Sequence, residues 1–286
     1  MDSKRIIKRV SQIMGGALLL LAVVLGVRMF CLESFRISTN SMEQALLNGD
    51  YVLVNKLPME DNPGRNRVVL FSSPLIRDSL QAPLFVSRLV GMPGDTVTVE
   101  NNSYLINGKQ IPKSPFTLAT YFISKDMETV FRGLLSKLSV PVREWKSEPF
   151  GFTLCLTAFE EYKIREELSP GLNGHFVQEK SEEYNVIVPK KGRAYRIDEV
   201  SLKACREIIL HETSGKALFR DGKLFLDGKE TNFFYFKQDY YWVLSDNIKQ
   251  SVDSRHLGFI PADHIIGNVW FCWKSEDPER TFKTID

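Results

Sequence analysis

Hydrophobic positions along the chain fall into three textures. The first is an uncharged, mostly apolar run, "VSQIMGGALLLLAVVLGV", from Val10 to Val27. It sits at the short end of a membrane span, which needs roughly 20 apolar residues. Met29 to Leu32 extend it past Arg28, whose side chain can snorkel to the headgroups. The second texture is short alternation. "YVLVNKL", "RVVLFSSP" and "FVSRLVGM" have the period of two that predicts strands. "GDTVTVENNSYLINGKQIP" adds hairpin turns at Asn101-Asn102 and Asn107-Gly108, and "KALFRDGKLFLDGKETNFFYF" adds two more at Asp221-Gly222 and Asp227-Gly228. "DYYWVLSDN" reads as a buried strand, and "QSVDSRHLGFIPADHIIGNVWFCW" ends in another after Gly258 and Pro261.

The third texture lies between these, from 114 to 214. "SKDMETVFRGLLSKLSV" and "IDEVSLKACREIILHE" space their apolar residues as helices do, the second with Ser201 and the acids before it as caps. "PGLNGHFVQEKSEEYNVIVPKKG" between them is loop-rich. The expected organisation is a basic N-terminus (1–9), a transmembrane anchor (10–32), a β core (33–113), an inserted mixed α/β region (114–214), a return to the β core (215–274) and a solvated polar tail (275–286). The fold class is mainly β with an inserted mixed α/β domain, behind one N-terminal transmembrane helix.

Composition changes this picture little. With 43% hydrophobic and 25% charged residues the 286-residue chain is ordinary for a folded protein. A net charge of +2, from 37 basic and 35 acidic residues, asks for no nucleic acid. The local bias is informative: Lys4, Arg5, Lys8 and Arg9 precede the apolar run, so the positive-inside rule places the N-terminus in the cytoplasm and the rest outside. A cleavable signal peptide would need small residues at an A-x-A-like site, and "RMFCLESFRIS" has none. Cys31, Cys155, Cys205 and Cys272 have no zinc-ligand spacing; four separate buried thiols are the preferred reading, with one or two disulfides outside the cytoplasm as the alternative. His175 and His211 are isolated and suggest no metal; no cofactor is expected.

A serine nucleophile needs a positioned base and donors for the oxyanion. Three stretches, in order, supply a framework for one: "SMEQALLNGDYVLVNK", "SRLVGMPGDTV" and "SDNIKQSVDSRHLGFIPADHIIGNV". Behind the apolar run, they resemble the boxes of the bacterial type I signal peptidases, membrane-anchored serine proteases that remove signal peptides on the outer side of the membrane. The resemblance implies a signal-peptidase-type β-fold, signal peptides of exported preproteins as substrates, and a lipid bilayer beside the site. Thirteen residues separate Val27 from Ser41, at most roughly 45 Å of extended chain, so the tether is short. The resemblance places the nucleophile at Ser41, the hydroxyl that assists the oxyanion at Thr39, and the serine that orients the base at Ser251. Asp253 and Arg255 match a structural acid and base beside the site. Gly91, Pro93, Gly94 and Asp95 match a turn, and Trp273 a tryptophan near the membrane.

The base position departs from the family. Where bacterial relatives carry lysine before arginine, and the endoplasmic-reticulum branch carries histidine, this chain has Ser87 before Arg88. A buried lysine supplies a neutral amine; a hydroxyl has no such form, and guanidinium stays protonated. Gln44-Ala45 replace Pro-Thr, and Ser245 and Ile248 replace glycine and arginine. Lys249, Lys56 and His256 are candidate substitute bases. Two main functions follow: slow cleavage at Ser41, or a non-catalytic relative that binds signal peptides or partners an active signal peptidase. The third is an anchored structural β-protein.

Overall fold

A computed structural model of the chain describes residues 3–43, 45–57, 64–76, 82–100, 103–111, 117–180, 183–247 and 251–285. Helix α1 spans Ser3–Phe30. Its described side chains, residues 12–26, are exposed up to Gly26, Leu18 by 71%. Among the described residues, no helix is long and apolar enough to cross a membrane. The helix stops two residues short of the expected anchor end: Leu32 pairs with Asn55 and opens a strand instead.

Seven strands follow: β1 Leu32–Arg36, β2 Tyr51–Asn55, β3 Val68–Ser72, β4 Leu84–Gly91, β5 Thr96–Glu100, β6 Ser103–Ile106 and β7 Lys109–Gln110. The alternating runs thus form strands because each presents apolar residues every second position. On β3 the alternation serves both faces: Val68 and Leu70 join one buried cluster, Val69 and Phe71 another. The Asn107-Gly108 turn closes β6–β7 with both residues at positive φ, 53° and 75°, the geometry of the hairpin turns that Asn-Gly favours. Asn101-Asn102 lies outside the described residues.

Next comes a mixed unit: β8 Leu118–Ser124, α2 Glu128–Lys137, β9 Arg143–Glu148, β10 Gly151–Thr157, α3 Ala158–Glu167 and β11 Phe176–Gln178. Its strands order β11-β8-β10-β9. Phe131 and Leu135 of α2 and Ile164 of α3 pack on Ile123, Leu154 and Phe176 as a core of its own. The chain then forms β12 Tyr184–Ile187, β13 Ala194–Arg196, α4 Glu199–Glu212, β14 Leu218–Arg220, β15 Lys223–Leu226, β16 Lys229–Thr231 and β17 Phe233–Tyr235. Here β12 adds to the edge of β5, giving the order β12-β5-β6-β7. Ile208 and Ile209 of α4 pack with Val97, Val186 and Trp242. The segment 114–214 therefore serves two cores: its first part makes its own, and its second part builds onto the β5–β6 sheet. Asp198 and Ser201 form the capping box of α4, each side chain accepting from the other's backbone N–H at 2.8 Å.

The last elements are β18 Tyr240–Leu244, α5 Ser254–Leu257, β19 Ile260–Pro261, β20 Ile265–Lys274 and β21 Lys283–Thr284. They return to the first strands and complete the main antiparallel sheet, ordered β1-β2-β20-β3-β4-β18-β19, with β21 on β20. The sheet thus joins the chain's two ends around everything between them. The polar tail is not simply solvated: β21 pairs with β20, and Ser275 Oγ donates to the buried Asp50 at 2.6 Å.

Candidate active site

Ser41 follows β1 on a tight turn, with Ala45 and Leu46 N–H donating back to the Met42 carbonyl. Met42 and Leu46 bury their side chains against Val52, Val68 and Val86. These apolar anchors fix the serine between them. Ser41 is only 4% exposed. Its Oγ donates to the Val86 carbonyl at 3.1 Å and lies 3.0 Å from Thr39 Oγ1. The Val86 carbonyl is available because β18 pairs with β4 only from Arg88 onward. The Ser41 carbonyl accepts from Asn247 N–H at 2.9 Å, and Asn247 Nδ2 donates to Glu43 at 3.1 Å. The first and last boxes, more than two hundred residues apart in sequence, are thus bonded directly.

Ser87 is fully buried, and its Oγ lies 2.8 Å from Ser245 Oγ. Arg88 beside it grips Asp246 through Nε at 2.8 Å and Nη2 at 3.0 Å. Burial pushes the Asp246 carboxyl up, and Arg88 opposes that rise. Asp253, fully buried, accepts from Arg255 Nε at 2.9 Å and Nη2 at 2.6 Å and from Ser245 N–H at 2.9 Å. Asp253 also caps α5 through Arg255 N–H. Arg255 Nη2 donates to Ser251 Oγ at 3.0 Å.

The Pro93-Gly94-Asp95 turn is fixed by Asp95. Burial raises its carboxyl, but Arg65, Met92 N–H and Asn107 outweigh that and hold it below the usual 3.8. Gly94 has φ of +92°, open to glycine, and a Cβ on Gly91 would stand 2.8 Å from Val97 and 2.9 Å from Trp242.

The structure brings Thr39 and Ser41 together, and Ser251, Asp253 and Arg255 together. Ser87 lies next in sequence to the carbonyl that Ser41 touches, yet its hydroxyl bonds Ser245. Of the substitute bases, Lys56 Nζ is 2.9 Å from Glu33, and the exposed His256 is 3.9 Å from Asp253. Lys249 lies outside the described residues, as do Gln44 and Ile248. Among the described residues, no amine or imidazole bonds the Ser41 hydroxyl, and no group of side chains has a metal-binding arrangement. Two contributors escaped the sequence reading. The Val86 carbonyl is backbone and carries no residue signature. Asp246 was visible only as the acid of the last box, matching the arginine of the second.

The family model described as "Signal peptidase, peptidase S26" matches residues 7–141 and 172–274. The chain belongs to this signal peptidase family. The signal peptidase I of Buchnera aphidicola subsp. Baizongia pistaciae is 26% identical over 280 residues, 93% of this chain and 77% of that protein. That of Aquifex aeolicus is 25% identical over 266 residues, 90% of this chain and 81% of that protein. A solved signal peptidase I from Enterococcus faecalis covers 73% of this chain and 97% of that one at 16% identity and a TM-score of 0.31, too low to bear on the fold. The unmatched stretch, 142–171, holds β9, β10 and α3 of the mixed unit.

Proposed function

We propose that this protein acts on the signal peptides of exported preproteins as a membrane-anchored, serine-endopeptidase-type signal peptidase, with Ser41 as nucleophile. The observation that carries this reading is the buried Ser41 hydroxyl, 3.0 Å from Thr39 Oγ1 and bonded through its own carbonyl to the final box. Attack by Ser41 Oγ on the scissile carbonyl would transfer its proton to a substitute base, for which Lys249 is the remaining candidate, since Lys56 is held by Glu33 and His256 faces Asp253. The developing oxyanion would meet the Ser41 N–H and the Thr39 hydroxyl. Asp253 and Arg255 act by holding the final box, and Ser251 with it. Without the family's amine, turnover is slower by about two to four orders of magnitude, the usual contribution of a general base.

Four observations support the membrane setting: the uncharged Val10–Val27 run, the basic residues before it, its place on one helix, and the exposed Ile13, Leu18 and Leu25. Trp273 donates to Ser34 of β1 at 2.8 Å and packs on Tyr51, so an aromatic edge lies where the chain leaves the helix. The N-terminus would then be cytoplasmic and the β core extracytoplasmic.

The Ser87–Ser245 hydroxyl pair favours a second reading, in which the site binds signal peptides without turnover, or serves an active relative. The full-length protein in detergent, incubated with a preprotein bearing an A-x-A site, separates the two. Slow cleavage that vanishes in Ser41→Ala supports the protease. Crosslinking of the signal peptide without cleavage supports the binder.

A further inference from the structure

The departures from the family pattern at residues 87 and 245 touch each other. Their hydroxyls are 2.8 Å apart, with Ser87 fully buried and Ser245 5% exposed. The main sheet builds this contact. The β4–β18 register pairs Leu244 with Arg88, and one step further brings Ser245 across from Ser87. The backbone at 245 cannot readily withdraw. Its N–H donates to Asp253 at 2.9 Å, and Arg255 clamps Asp253 at 2.9 and 2.6 Å. The final box therefore holds Ser245 against Ser87.

We propose that Ser87 and Ser245 are one coupled feature, a hydroxyl pair filling the space that a basic side chain needs, and that Ser245 closes the site to a lysine at 87. A lysine Cγ placed where Ser87 Oγ stands would lie 2.8 Å from Ser245 Oγ. That is well inside the roughly 3.5 Å optimum of carbon contacts, and a close-packed interior has little room to yield. Glycine at 245 would remove both the Cβ and the hydroxyl. Conversely, glycine at 245 alone strips the buried Ser87 hydroxyl of the Ser245 oxygen. Each single change is therefore worse than its effect in the pair, the signature of residues in contact.

The test has two arms on the full-length protein in detergent. The first is thermal unfolding of Ser87→Met, Ser245→Gly and the double variant, since methionine carries a long stem without charge. The expected result is that Ser87→Met lowers Tm by several degrees and that the double variant melts above it. Strictly additive shifts would overturn the proposal. The second arm compares Ser87→Lys with Ser87→Lys/Ser245→Gly on the A-x-A preprotein. The double variant is expected to cleave about 100-fold faster or more, the lower end of a general base's contribution, and to lose that activity when Ser41→Ala is added. Equal, measurable rates of cleavage by the two would likewise overturn the proposal. Only this second arm rests on the Ser41 protease reading. Non-additive melting with no cleavage by any variant would sink that reading and leave the hydroxyl pair standing.

Discussion

At the scale of the residue, the site separates what holds Ser41 from what would activate it. The holding parts are all in place. Met42 and Leu46 anchor the turn, the Asn247 N–H takes the Ser41 carbonyl, and Arg88–Asp246 stiffens the neighbouring strands. The arginine and aspartate side chains are 6% and 3% exposed. Removing one partner of such a pair strands a charge in low dielectric, which typically costs 3–5 kcal/mol. Arg88→Ala should therefore lower unfolding stability by about 3–5 kcal/mol in denaturant titration, whatever its effect on activity. A loss below about 1 kcal/mol would mean that the pair is solvated like a surface bridge. Thr39→Ala should act in the opposite way. Thr39 is partly exposed, and its hydroxyl faces the Ser41 oxygen. The expected result is near-unchanged stability with cleavage slowed by about 100-fold, as for loss of an oxyanion donor. An unchanged cleavage rate would remove Thr39 from the chemistry.

At the scale of the element, the tail and the nucleophile turn form one device. Arg280 donates to the Ala45 carbonyl and lies 3.4 Å from the buried Asp50, which also accepts from Ser275 and from Leu47 N–H. Arg280→Ala should speed amide exchange across residues 41–50 while leaving the Leu118–Gln178 unit unchanged; equal exchange in both would show that the clasp is idle. The tail was illegible as structure because "KSEDPERTFKTID" has no period and only Phe282 and Ile285 as large apolar residues; its order comes from an edge supplied by β20. Strands with strong alternation, and the Asn-Gly and Asp-Gly turns, were legible because local chemistry alone determines them. Helix α3 was not. Apart from Ile164 its buried position is Glu160, so no apolar stripe announces it. The available signal was the Thr157-x-x-Glu160 capping box, in which Glu160 N–H donates to Thr157 at 3.2 Å and Thr157 N–H to Glu160 at 2.8 Å. At the site, Ser41, Ser87 and Ser245 were each legible as positions, but their contacts were not. The 2.8 Å meeting of Ser87 and Ser245 depends on a sheet register across 158 residues of sequence.

At the scale of the whole molecule, the first and last strands share one sheet, with the mixed unit and the β5–β6 sheet between them in sequence, and the turn at Asp95 contributes to how the fold answers to pH. Asp95 is held below its usual 3.8 by Arg65, Met92 N–H and Asn107, against the opposing effect of burial. Its contribution to stability is fully present above that usual value and is lost as pH falls through the lower folded value. Asp95→Asn should flatten the acid limb of the stability–pH curve below about pH 4; an unaltered limb would assign acid sensitivity elsewhere. All of these elements serve one arrangement, a buried serine at the meeting of the chain's first and last boxes, one strand after helix α1. The most direct measurement is the rate at which the full-length protein in detergent cleaves an A-x-A preprotein, with and without Ser41→Ala. Slow cleavage at that site, absent in the variant, is the expected result. Cleavage that survives Ser41→Ala would contradict it.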